Sequence, residues 1–323
     1  MITRLQICIG NSVDPYRNLA TEKWLLDTTP DDTCTLYLWQ NENTVVIGKN
    51  QNPWAECNTT LLYEDNIKLA RRLSGGGAVF HDLGNLNFTF ICSSDNYDLS
   101  RNLEVIKQAC GFAGISVSVS GRNDILVLGK KFSGNAFYNS CGMSYHHGTL
   151  LINSNLEMVE KYLTPSKAKL EAKGVKSVRS RVMNLVSVAS DLTCNKMKKY
   201  MIDAFAKVFN LPVEKVTEID MDYVENLAVK YSDWNYLYGE SKPFSASVEG
   251  RFPWGGVTLN LDVKNGTIKA SKLYTDAMYW ELSELVESAL IGCSLQDSEL
   301  KKRLYSAVPT PFSEDILNLI KTL

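Results

Sequence analysis

ARRLSGGGAVFHDLGNLNFTF, residues 70–90, is the stretch of this 323-residue chain on which the fold assignment turns. Two arginines, a leucine, a serine and three consecutive glycines lead into Ala78-Val79-Phe80, then His81-Asp82, then the run NFTFIC (87–92), which reads as a strand. Glycine lets a backbone approach a ligand closely, and the amides around Gly75 to Phe80 suit phosphate oxygens. Arg72 can add a bidentate, charge-assisted contact to the same anion. The stretch contains neither the G-x-x-x-x-G-K-[ST] of a Walker loop nor the G-x-G-x-x-G of a dinucleotide fold, so both of those architectures are set aside. Three glycines alone are equally well explained by a surface turn. The arginine pair before them and the His-Asp after them favour a site.

Working outward, eleven of the 20 glycines and all three histidines, His81, His146 and His147, fall between Gly75 and Gly148. Within that region SGRNDILVLGKKFSGNAFYNS (120–140) places Asp124 just before an apolar strand and Lys131 after a turn at Gly129. Strand ends hold a carboxylate and an ammonium rigidly, although each residue alone is more often a turn cap or a solvated charge. Of Lys130 and Lys131, one is expected to face solvent. In YHHGTLLINSNL (145–156) the two adjacent histidines point to opposite faces of a strand and cannot share one metal. Further on, KAKLEAKGVKSVRSRVMNL (167–185) sets six cationic side chains against the single acid Glu171. Such a run is usually a solvated face; beside the other motifs it reads as a segment that closes over a polyphosphate.

The remaining pattern is α+β, with mixed or antiparallel sheets and no regular βαβ alternation. Asp14-Pro15 opens a helix carrying Tyr16, Leu19 and Trp24 on one face. TLYLWQ (35–40) and TVVIG (44–48) read as neighbouring strands joined by a hairpin turn at Asn41 to Asn43, and ISVSVS (115–120) reads as a further strand. Helices are expected through Leu103, Ile106, Cys110 and Ala113, and over 192–210 through Met197, Met201, Ala204 and Val208. A boundary falls near YGESKPFSAS (239–248), giving a large unit over 1–240 and a small α+β unit over 249–323. In the small unit GVTLNLDV (256–263) and TIKASKLY (267–274) form a hairpin through Lys264-Asn265-Gly266, and three helical stretches follow.

Composition limits the function classes. Hydrophobic residues make up 45% and charged residues 22%, with a net charge of -2, so nothing global points to nucleic acid or an anionic membrane. No signal-peptide core opens the sequence, and no apolar run reaches the roughly 18 residues of a membrane span. Eight scattered cysteines without a Cys-x-x-Cys pair fit a reducing cytoplasm better than a disulfide framework or a structural metal, and no metal site is assigned.

Taken in order, these motifs resemble the lipoate-protein ligase A family. VVIGKNQNPWAECN (45–58), SVRSRVMNL (177–185) and RFPWGGVTLNLDV (251–263) extend the likeness over nearly the whole chain. The resemblance implies a catalytic domain of biotin/lipoyl-ligase type plus a small C-terminal accessory domain. It implies ATP, with Mg²⁺, and lipoate as substrates. By position, Arg72, Gly77, Ala78, Val79, Phe80 and Lys131 would contact ATP, and Lys131, Gly75 and His147 would contact lipoate. Lys131 and Asp124 would be the catalytic pair, with Asp124 or His147 taking the proton of the attacking amine and Asp124 a ligand of Mg²⁺. The dithiolane would lie in an apolar slot lined by Val79 and Phe88. The basic run matches the family's adenylate-binding loop. One departure is Tyr138, where close bacterial relatives often carry arginine, so that charged contact is not carried over. Implied partners are lipoyl domains of 2-oxo acid dehydrogenase acyltransferase subunits, the glycine-cleavage H protein, or both, met by a monomer. Two other readings are an ATP-independent octanoyl or lipoyl transferase working through a Cys141 thioester, and a non-catalytic lipoyl-domain-binding protein.

Overall fold

The run TCTLYLW carries large apolar side chains on both parities, so as a strand it asks for cover on both faces. It forms β2 (Thr33–Trp39), in which every residue is buried. The computed structural model describes residues 1–120, 124–163, 182–238, 246–264 and 266–322, without the side chains of residues 54 and 55. In it β2 lies inside an eight-stranded sheet that runs β11 (Val213–Lys215), β1 (Arg4–Ile9), β2, β6 (Asn85–Ser93), β10 (Met143–Leu151), β9 (Lys130–Ser140), β8 (Asp124–Val127), β7 (Ser118–Ser120). β1 pairs parallel with both β11 and β2, and every other pairing is antiparallel. The sheet is therefore mixed, and β1, the helix that follows it and β2 form its one parallel unit joined by a helix among the described residues.

Parity sorts the two faces. Leu36 and Leu38 join Phe88, Phe90 and Phe205 under the helices Leu99–Phe112 and Cys194–Phe209. Tyr37 and Trp39 join Ile91, Tyr145 and Leu19 under the helices Pro15–Thr28 and Met221–Ser232. Each such side chain contributes roughly 1.5–3 kcal/mol on burial, which makes the register hard to slip. The first helix starts where Asp14 accepts the amides of Tyr16 and Arg17, with Pro15 at its first position.

A second, three-stranded sheet runs β4 (Lys68–Arg71), β3 (Thr44–Ile47), β5 (Val79–His81). This corrects the expected hairpin between TLYLWQ and TVVIG: both are strands, but they belong to different sheets. Asn41 explains the break, because its buried side chain bonds Asn18 and His81 and ties the connection inward rather than into a tight turn. ISVSVS is also shorter than expected, only its last three residues forming the exposed edge strand β7.

The C-terminal domain is a three-stranded antiparallel sheet, β12 (Ala246–Phe252), β13 (Gly255–Lys264) and β14 (Thr267–Thr275), covered by the helices Leu282–Leu290, Asp297–Ala307 and Phe312–Ile320. Its core, built on Leu259, Leu261, Leu273, Leu282 and Ile316, is separate from the others. The β13–β14 hairpin is as expected, with Gly266 at φ 70°, although Asn265 lies outside the described residues. This domain docks on the start of the glycine loop. The Thr275 amide donates to the Asn50 carbonyl at 2.8 Å and the Gly76 amide to the Ala277 carbonyl at 3.1 Å. Trp280 closes the contact: its ring lies 4.7 Å from that of Tyr138, its Nε1 donates to Asn139, and the Lys49 ammonium sits 4.1 Å above it.

Candidate active site

The glycine loop connects β4 to β5 and is organised from behind by Arg72. The Arg72 guanidinium is buried, and its donors go to the carbonyls of Val46, Gly75 and Gly77 and to Ser74 Oγ. Loss of solvent pulls its pKa down to about 10, so it stays charged at neutral pH. Its fork acts on the loop backbone, turning the loop's carbonyls inward. Gly75 stands at the contact between domains: a Cβ there would lie 2.4 Å from the Ala277 carbonyl oxygen, which only glycine avoids. Gly77, Ala78, Val79 and Phe80 line a cavity of about 540 Å³, within the usual range for a small-molecule site.

Asp124 and Lys131 face each other across the β8–β9 hairpin, with Nζ 2.7 Å from Oδ1 and both side chains mostly shielded from solvent. A bulge makes this possible. Pairing runs Asp124 with Gly134 and Ile125 with Ser133, then jumps to Leu126 with Lys131. The extra residue puts Lys131, rather than Phe132, on the face that Asp124 occupies. Gly134 completes the arrangement, because a Cβ there would stand 2.9 Å from Lys131 Nζ. Lys130 is exposed, as expected for one of the two lysines.

His146 and His147 separate as the strand requires. His146 is fully buried among Phe88, Phe90 and Phe137 and donates through Nε2 to Asn135; burial drives its pKa down to about 3. His147 lines the cavity on the opposite face. Its Nδ1 lies 2.8 Å from Glu22 Oε1 and its Nε2 2.7 Å from Ser74 Oγ. The chain of bonds continues from Glu22 to the Thr89 hydroxyl and from there to Trp39 Nε1. The glycine loop is thereby tied through Ser74 to the central sheet and to the first helix.

Of the residues assigned from sequence to ATP, lipoate or catalysis, Arg72, Gly77, Ala78, Val79, Phe80, Asp124, Lys131 and His147 line this cavity, and Gly75 does not. Gly75 backs onto Ala277 instead. Phe88 is a correction: it points to the other face of the sheet, against His146, because it shares its parity with Phe90. Val79 does line the cavity, beside Leu19, Val46 and Ala136. Cys141 is exposed, in the turn between β9 and β10, and is not among the lining residues. Most of the basic run 167–185 lies outside the described residues. Its end returns to the site, where the Met183 amide donates to the Lys131 carbonyl at 2.9 Å.

Sequence reasoning missed Glu22, Trp39 and Thr89. Glu22 carried a signal, since it falls on the same helix stripe as Leu19 and Leu26, where a lone carboxylate needs partners. It also missed the cavity residues Arg251, Asp276 and Met278 of the C-terminal domain, which no local pattern links to the glycine loop.

Known proteins resemble this chain in sequence and fold. The description of the lipoyl protein ligase A/B catalytic domain matches residues 14–206, and that of the bacterial lipoate protein ligase C-terminus matches residues 241–319. The lipoate-protein ligase A of Psychrobacter cryohalolentis is 41% identical over 310 residues, covering 93% of this chain and 91% of that protein. LipL1 of Plasmodium falciparum, solved in complex with lipoate, superposes with a TM-score of 0.87 at 28% identity, over 99% of this chain and 100% of that one. A lipoate-protein ligase A solved with ATP superposes with a TM-score of 0.63 at 25% identity, over 74% of this chain and 99% of that one. With sequence and structure matched across both domains, the chain belongs to the lipoate-protein ligase A family.

Proposed function

We propose that this chain activates lipoate with ATP to lipoyl-AMP and passes the lipoyl group to a specific lysine of an acceptor protein. The observation that carries the reading is the Lys131–Asp124 pair set in the wall of the cavity that the glycine loop also lines. A carboxylate resists amine attack because it is anionic and its oxygen leaves poorly. Adenylation removes both obstacles. As the carboxylate attacks the α-phosphate, negative charge builds on the phosphoryl oxygens, and a fixed ammonium lowers that barrier. Lys131 is the residue for this role. Asp124 holds the ammonium in place at 2.7 Å.

The loop Gly77 to Phe80 takes the nucleotide, and Arg72 acts on it through the loop backbone as a positioning residue. The acyl chain lies along Val79 and Leu19 toward Trp39, with His147 and the nearby backbone of Gly75 at the carboxyl end. Mg²⁺ bound with ATP would neutralise phosphate charge, and of the carboxylates lining the cavity Asp124, beside Lys131, would hold it. In the second half-reaction the acceptor lysine, with an ordinary pKa near about 10.4, must give up a proton. Asp124 or His147 would take it, Asp124 being held by the Lys131 ammonium and His147 having both ring nitrogens engaged. Acceptors are the lipoyl domains of 2-oxo acid dehydrogenase acyltransferase subunits and the glycine-cleavage H protein. We place the division between the two domains at 239–248 and the protein in a reducing cytoplasm as a monomer. No described helix is long and apolar enough to cross a membrane.

The test combines ATP, Mg²⁺, lipoate and an apo lipoyl domain, with pyrophosphate, AMP and lipoyl-protein followed together. Stoichiometric AMP and lipoyl-protein are expected. Acyl transfer that proceeds without ATP would refute the reading.

A further inference from the structure

Part of the cavity wall belongs to the C-terminal domain, and it carries charge. Among the described lining residues, three side chains hold a fixed positive charge: Arg72, Lys131 and Arg251. Arg72 is spent on loop carbonyls, and Lys131 is held against Asp124. Arg251 differs from both. It lies on β12, a quarter exposed, and its Nη1 reaches Asp276 only at 3.5 Å. Asp276 in turn fixes the backbone of the facing strand, accepting the Gly256 amide at 2.6 Å through its other oxygen. A guanidinium held by one long contact at a cavity wall exchanges that contact for an anion at little cost.

Its position names the anion. Asp276 immediately precedes Ala277, the residue whose carbonyl takes the Gly76 amide and against which Gly75 packs. Arg251 is therefore separated from the glycine loop by one residue of chain and one side chain. Gly77 to Phe80 line the same cavity as Arg251, so a polyphosphate seated on that part of the loop lies in the space that Arg251 also faces.

We propose that Arg251 is a ligand of the ATP polyphosphate, supplied to the catalytic domain by the C-terminal domain. The proposal rests on the ligase reading and deepens it. In the first half-reaction a carboxylate oxygen bonds to the α-phosphorus, the bond from that phosphorus to the bridging oxygen breaks, and pyrophosphate leaves with the electron pair. Arg251 takes no part in the bond changes and stabilises the charge that accumulates on the departing pyrophosphate. The second half-reaction releases AMP and involves no pyrophosphate, so it makes no use of Arg251. Docking of the C-terminal domain is then a requirement of adenylation in particular.

The two half-reactions separate the outcomes. Lipoate-dependent exchange of labelled pyrophosphate into ATP is measured for the full chain, for Arg251→Ala and for Arg251→Lys. Transfer from presynthesised lipoyl-AMP to an apo lipoyl domain is measured alongside, with thermal melting as the check on folding. For Arg251→Ala, exchange is expected to fall by about 30- to 300-fold with a raised KM for ATP, while transfer stays within about twofold; Arg251→Lys recovers part of the loss. Exchange by Arg251→Ala within about threefold of wild type overturns the proposal. So does an equal loss of both half-reactions, which would make Arg251 a fastener between domains. A wild type that exchanges no pyrophosphate fails the ligase reading and the proposal with it, whereas normal exchange with an unaffected variant fails the proposal alone.

Discussion

At the scale of single residues, the site depends on where charge is allowed and where it is refused. Lys131 is the charge that is allowed. Replacing it with alanine should cost about 3–4 kcal/mol of transition-state stabilisation, or about 10²–10³ in the rate of pyrophosphate release. The fold should survive, since the side chain lies at a cavity wall, and near-normal release by the variant would exclude the role. His81 and His146 are places where charge is refused: burial holds both pKa values down to about 3. Both start from 6.5 in the unfolded chain, so between about pH 6.5 and 3 the unfolded state binds more protons than the folded one. Stability should accordingly be complete above that window and fall with pH inside it, by up to about 1.4 kcal/mol per pH unit for each histidine. Urea midpoints at pH 7.5 and 5.0 measure this, and His146→Gln should flatten the dependence; equal midpoints in the wild type would contradict the neutral buried state. Sequence made Lys131, Asp124 and the opposed histidines legible because strand parity and turn positions are local. It concealed Glu22 and Arg251, whose partners lie 125 and 25 positions away.

At the scale of elements, the glycine loop, the bulged hairpin and the contact with β14 are the three pieces that must meet. The fold was readable where periodicity alone sets an element: the first helix from its Asp-Pro start, the helices Leu99–Phe112 and Cys194–Phe209 from their buried stripes, the last hairpin from its alternation. Failure came at the passage from β2 to β3, where two short buried runs three residues apart look like a hairpin and are in fact strands of two sheets. No local feature distinguishes the cases; the buried partners of Asn41 do. The same elements make a sharp test of docking. Gly75→Ala forces a Cβ to within 2.4 Å of a backbone oxygen that cannot rotate away, so the loop and the C-terminal domain must separate locally. Lipoate-dependent pyrophosphate exchange should drop by at least about tenfold, since an ångström of misplacement is worth that and more. The melting temperature of the catalytic domain should change little. Unaltered exchange would show that the loop tolerates the gap.

At the scale of the whole molecule, a large mixed sheet with covered faces supports a small domain that has its own core and, among the described residues, meets the catalytic domain through a narrow contact at Thr275, Ala277 and Trp280. Interfaces of this kind within one chain permit relative movement by default. The narrowness concentrates the contact on few side chains, and one of them is Trp280, clasped by the Tyr138 ring, the Asn139 carboxamide and the Lys49 ammonium. An indole placed so has an optical consequence. A neighbouring ammonium and a donated hydrogen bond both perturb its excited state, and both vanish if the domains part. Trp280 is thus a built-in emission probe of docking, and the difference between wild type and Trp280→Phe isolates its signal from the other five tryptophans. That difference spectrum should change when lipoate and ATP are turned over to lipoyl-AMP if the domains separate at that stage, and stay fixed if they remain clasped, so a stopped-flow trace would time the event without any label.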